Sequence, residues 1–112
     1  LCVYQLGALD WMASARDIHN RVRGLHPWPH AFTHLEAERL LLHRTRVESA
    51  ETAGAPGTFA ASADGRLLVS TGSGTVEILE VQPEGRRAMP ARAWLAGRRD
   101  LRSGRFVTLK PS

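Results

Sequence analysis

The sequence holds one cysteine, Cys2, and one lysine, Lys110, in 112 residues. A lone cysteine cannot close an internal disulfide, so the fold must rest on its apolar core. Without a signal-peptide pattern the expected compartment is reducing and cytoplasmic. No apolar run approaches the roughly 18 residues of a membrane-crossing helix, which argues against a membrane partner. Cys2 has no neighbouring helix start or basic pair to lower its pKa, so a catalytic thiol is not expected. The chain opens on Leu1 rather than methionine, and the expectation is a piece of a longer polypeptide. What is present is 43% hydrophobic and 23% charged residues, the balance of a folded domain. Residues 1–112 are therefore read as a single domain, one that buries roughly two-thirds of its unfolded surface without help from metals.

The charge is uneven along the chain. Residues 51–84 set Arg66 against Glu51, Asp64, Glu77, Glu80 and Glu84. After residue 84, Arg86, Arg87, Arg92, Arg98, Arg99, Arg102, Arg105 and Lys110 face only Asp100, an excess of seven positive charges within a total of +4. A polyanion meets that region first, because guanidinium groups release counterions from phosphates and raise the association rate. A solvated, arginine-rich surface explains the same count without a partner.

Ser14-Ala15-Arg16-Asp17 reads as a capping box, and Ala15, Ile18 and Val22 follow at helical spacing up to Gly24, which offers a left-handed stop. This predicts a helix at about 14–24. Beyond it, turn signals recur roughly every ten residues, at Gly54-Ala55-Pro56-Gly57, Asp64-Gly65, Gly72-Ser73-Gly74 and Pro83-Glu84-Gly85, the punctuation of a β-meander. Strands are predicted near 31–35, 39–48, 58–62, 66–71, 75–82 and 105–109. The run Leu40-Leu41-Leu42 fits a helix as well as a strand on periodicity alone. Pro90 suits a first helical position, with Ala91, Trp94 and Leu95 on one face and Gly97 as the stop. The fold class is mainly β: a small antiparallel barrel over about 31–109, resembling an oligonucleotide-binding fold, with an N-terminal helix and a second short helix. Trp94, Leu95, Ile78, Val76 and Ile18 are the expected core.

Other features have bland readings. His26, His30 and His34 recur every fourth residue, but Pro27 and Pro29 forbid a helix, and extended spacing sets such residues roughly 13 Å apart, too far to share an ion. No metal site is expected. Gly72-Ser73-Gly74 has no following helix and reads as a hairpin turn rather than a phosphate cradle. Trp11, Trp28 and Trp94 read as core residues, Trp28 as a plug over the barrel.

The string Leu9-Asp10-Trp11, then Ala15, Ile18 and Arg23, Pro27-Trp28-Pro29, Pro56-Gly57, Gln82 to Met89, Trp94-Leu95-Ala96-Gly97 and Gly104 resembles the C-terminal domain of the methionyl-tRNA formyltransferase family. The resemblance implies a barrel, preceded by a helix, that helps position initiator methionyl-tRNA. It also implies that a separate N-terminal catalytic domain binds the 10-formyltetrahydrofolate donor. The family's asparagine, histidine and aspartate beside a Ser-Leu-Leu-Pro loop have no match here: the one asparagine, Asn20, lies in a predicted helix. No catalytic residue or cofactor is therefore assigned to this chain, which is expected to be inactive alone. Arg86, Arg87, Arg98, Arg99, Arg102 and Arg105 are the candidate phosphate contacts, since arginine can position a nucleic acid without reading bases. The alternative is a protein-interaction or interdomain packing module, from this or another formyltransferase-family enzyme, with its arginines solvated or paired to the acids of residues 77–84.

Overall fold

A computed structural model describes residues 7–26, 30–36, 38–52, 54–98 and 103–107. Its elements run α1 (Ala15–Gly24), β1 (Ala31–Leu35), β2 (Glu38–Ser49), β3 (Thr58–Ala61), β4 (Leu67–Ser70), β5 (Thr75–Pro83), β6 (Met89–Pro90), α2 (Ala91–Ala96) and β7 (Ser103–Arg105). Every strand pair is antiparallel, in the order β1-β2-β5-β4-β3-β7, with β6 added to β5. The sheet curls until its two edges meet. Just beyond β7, Val107 and His34 of β1 exchange both backbone hydrogen bonds, at 2.8 and 2.9 Å. The fold is thus mainly β, a curled antiparallel sheet with the two expected helices among the described residues.

The leucine run belongs to β2, because Leu40 and Leu42 turn inward while Leu41 stays half-buried, the two-residue period of a strand. The β2–β5 register shifts between Leu42 and Arg44, leaving His43 outside the ladder as a bulge. The expected core is buried as one cluster: Trp94, Leu95, Ile78, Val76 and Ile18 join Leu40, Leu42, Leu67, Val69 and Val81. Phe106 is its aromatic hub, with ring centroids 4.4 Å from Phe59, 5.9 Å from Trp11 and 6.4 Å from Trp94. Trp11 satisfies its indole N–H by donating to Thr33 Oγ1 at 3.0 Å. Trp28 lies outside the described residues.

Several boundaries differ from the sequence reading. Ser14 Oγ accepts from the Asp17 amide as the capping box requires, yet α1 runs through Gly24 and ends at Leu25 with right-handed φ and ψ of −98° and −2°. The left-handed stop at Gly24 does not occur, because the Leu25 amide donates back to Arg21 without one. Pro90 stands one residue before α2, extended at φ −60°, ψ 145°, and pairs with Glu80 of β5. A proline at a strand end suits that place, since it has no N–H to offer. The last strand begins at Ser103 rather than 105, where Gly104 lies against Phe59: a Cβ there would come within 2.8 Å of the ring. Residues 108 and 109 lie outside the described residues.

Gly72-Ser73-Gly74 is the β4–β5 hairpin turn and it is already occupied. The Gly72 amide donates to the carbonyls of Trp11 and Ala13, and the Ala15 amide donates to Ser73. Its backbone holds the entry to α1 against the barrel.

Candidate nucleic-acid interface

The β5–β6 connection turns on Gly85, whose φ of 77° glycine tolerates freely, and the Arg86 amide donates to Pro83 across it. This tight turn projects Arg86 and Arg87, both exposed. Opposite it, α2 buries Ala91, Trp94 and Leu95 and delivers Arg98 just past its end. Between them runs a groove of about 340 Å³ lined by Glu38, Pro83, Glu84, Arg86, Met89, Ala93, Trp94, Gly97 and Arg98. Two segments read separately in the sequence, Gln82–Met89 and Trp94–Gly97, therefore form its two walls.

The arginines are not equivalent. Arg98 is half-buried, and its Nη2 donates to both carboxylate oxygens of Glu38, at 2.9 and 2.6 Å. Its guanidinium carbon also lies 5.3 Å from the Trp94 ring centroid. Both bonds use Nη2, which leaves Nη1 and Nε outside the pair. Arg86 and Arg87 enter no ion pair among the described residues, so their charge is uncompensated. Arg105, exposed on β7, lines a second groove with Leu9, Trp11, Pro56 and Val107 that shares no lining residue with the first. Arg99 and Arg102 lie outside the described residues. The excess of seven after residue 84 thus narrows at this groove to Arg86 and Arg87, with Arg98 tethered beside them.

Glu77 is held elsewhere, and Glu80 faces His43 rather than a carboxy-terminal arginine. Glu77 pairs with Arg46 and, at 3.1 Å, with Arg66, while Arg66 also binds Glu48 and so draws the Glu48 carboxyl below its ordinary range. Glu80 lies 3.7 Å from His43 Nδ1. The pairing of carboxy-terminal arginines with the acids of 77–84 does not occur among the described residues.

The spacing argument for the histidines fails at His26 and His30. Their rings stand 5.1 Å apart, not the extended distance, because the His30 amide donates back to Leu25 and His30 itself takes a left-handed φ of 74°. The third histidine beside them is His43, not His34. His34 is buried in β1, edge-on to Phe32.

No helix of the described residues is long and apolar enough to cross a membrane. Residues 3–99 match the family described as formyl transferase, C-terminal domain. A methionyl-tRNA formyltransferase of Solibacter usitatus is 44% identical over 93 residues, 83% of this chain and 29% of that protein. One from Pelobacter propionicus is 46% identical over 91 residues, covering 81% of this chain and 28% of the relative. The chain thus spans under a third of the relatives it matches. In fold it resembles part of HypX from Aquifex aeolicus. A structure of HypX with tetrahydrofolic acid superposes with a TM-score of 0.69 at 22% identity, over 82% of this chain and 17% of HypX. A variant of the same protein reaches 0.73 at 20% identity, over 100% of this chain and 19% of HypX. With the family match covering nearly the whole chain and the barrel present, this chain belongs to the formyl transferase C-terminal domain family.

Proposed function

We propose that this domain is the accessory module of a methionyl-tRNA formyltransferase and that it holds initiator methionyl-tRNA by its phosphate backbone. Formyl transfer from 10-formyltetrahydrofolate then belongs to a separate catalytic domain. The observation that carries the reading is the pair Arg86 and Arg87, exposed on a glycine turn, without carboxylate partners among the described residues, and beside a groove whose far wall ends in Arg98. Guanidinium groups so placed bind phosphate bidentately and need no base contact, so binding is tolerant of sequence. Arg99 and Arg102 extend the same role in the proposal, whereas Arg105 lies on a separate groove. The names of the relatives, methionyl-tRNA formyltransferases, support tRNA as the nucleic acid.

A second reading is favoured by a different surface. Met12, 70% exposed, and Val107, 45% exposed, line the groove that contains Arg105. That apolar rim suits packing against a catalytic domain, and it leaves the Arg86 face free.

The two faces are separated by a salt titration of tRNA binding. The parent chain loses affinity steeply as salt rises, and Arg86→Gln with Arg87→Gln reduces the log–log slope by about 1.4 to 1.8, two phosphate contacts' worth, equally for all tRNAs. An unchanged slope assigns those arginines to solvent and leaves the packing module as the function.

A further inference from the structure

His26, His30 and His43 come from three separate places, the end of α1, the entry to β1 and the middle of β2, yet each offers a ring nitrogen within 4.8 Å of the others. We propose that they form a three-imidazole site for a borderline divalent transition metal, Zn²⁺ above all, with a fourth position open to water.

Each ligand is set by its own local device. His43 is the bulge residue of β2, and a bulge re-aims a side chain out of the ladder. Its orientation is fixed by a relay. Gln82 donates its amide N–H to the Arg86 carbonyl at 3.0 Å, so Gln82 Oε1 accepts from His43 Nε2–H at 2.9 Å. That leaves Nδ1 as the lone-pair nitrogen, and it faces the Glu80 carboxylate at 3.7 Å. A lone pair and a carboxylate repel unless a cation lies between or beside them. His30 takes a left-handed φ of 74°, an uncommon conformation for a residue with a Cβ, and such strain concentrates at functional positions. Its Nδ1 is buried with no hydrogen-bond partner among the described residues, a polar atom in want of a donor or an ion. His26 is exposed and closes the site from the solvent side.

The chemistry is consistent. Imidazole nitrogen is a preferred ligand of Zn²⁺ and its borderline neighbours. A tetrahedral ion with Zn–N bonds near 2.0–2.1 Å needs nitrogens roughly 3.4 Å apart, so the rings close by a small rotation, led by exposed His26. His30 and His43, stacked at 4.0 Å, splay to admit the ion. The Gln82 hydrogen bond acts as the outer-shell contact that fixes a ligating histidine.

The test is calorimetric titration of the 112-residue chain with Zn²⁺ at pH 7.5, with Co²⁺ titrated in parallel for the visible bands of a tetrahedral site. One ion binds per chain, and His26→Ala and His30→Asn each weaken binding at least tenfold. Asparagine tolerates the left-handed backbone at position 30, and His26 is exposed, so both variants keep the far-ultraviolet circular dichroism of the parent. His19→Gln, whose native ring bonds Thr45 and is not one of the trio, leaves binding unchanged. The proposal is overturned if no Zn²⁺ binds, or if the His26 and His30 variants bind as the parent does.

Discussion

His34 shows how one buried side chain ties the fold to pH. Burial, then the charge of Arg39, holds its pKa below 6.5, with Glu84 opposing, and burial moves His19 the same way beside Arg23 and Arg16. The unfolded chain therefore binds more protons than the folded one once pH falls through 6.5, and stability declines on that side. The denaturation midpoint is expected to be lower at pH 5.5 than at 7.5, with His34→Gln reducing the difference; equal midpoints for the parent contradict the assignment. At Trp94 the governing quantity is volume. The side chain is 4% exposed and meets Phe106, so Trp94→Ala should cost about 3 to 5 kcal/mol, a large part of a small domain's stability. Trp94→Phe should cost less, since it keeps an aromatic ring and removes an indole N–H that is buried without a partner among the described residues. Denaturant unfolding of the two variants checks the order.

Among the elements, the β4–β5 hairpin is both strand connection and seat for α1. A Cβ on Gly72 would lie 1.7 Å from the Met12 carbonyl oxygen, a backbone atom no rotamer can move. Gly72→Ala should therefore lift residues 11–14 off the turn and cost about 1 to 3 kcal/mol or more. Gly97→Ala is the matched control: φ is −77° and the nearest atom is 3.7 Å away, so stability should hold within about 0.5 kcal/mol. Unfolding curves giving equal losses would mean the hairpin does not clamp the helix. The same elements show what was legible beforehand. Strands were readable because Gly57, Gly65 and Gly85 supply the positive φ their turns demand and the apolar residues between them alternate. Helix ends were less so, since Gly24 and Gly97 mark stops that the backbone makes in the right-handed region. The seat on Gly72 depends on a contact with Met12, sixty positions away, that no local pattern records.

At the scale of the whole molecule, charge and geometry select different subsets of the same arginines. The excess after residue 84 was visible in the sequence, and so was the candidate status of Arg86 and Arg87. The pairing of Arg98 with Glu38 was not, because it joins the end of α2 to the start of β2. The histidine trio escaped for a similar reason: it needs a bulge at 43 and a left-handed residue at 30, and neither has a side-chain signature. The resulting domain presents a cationic turn, unpaired among the described residues, on one surface and an apolar rim with Arg105 on another. On the proposed reading, a module that grips tRNA with the first and leaves the second for a catalytic domain would contribute to substrate binding without touching the reacting groups. The deciding measurement is steady-state formylation by the full-length enzyme carrying Arg86→Gln and Arg87→Gln. Loss of phosphate contacts made equally in ground and transition states raises the KM for methionyl-tRNA while kcat and the KM for the formyl donor hold. An unchanged KM for methionyl-tRNA, or a loss confined to kcat, would contradict tRNA positioning by this face.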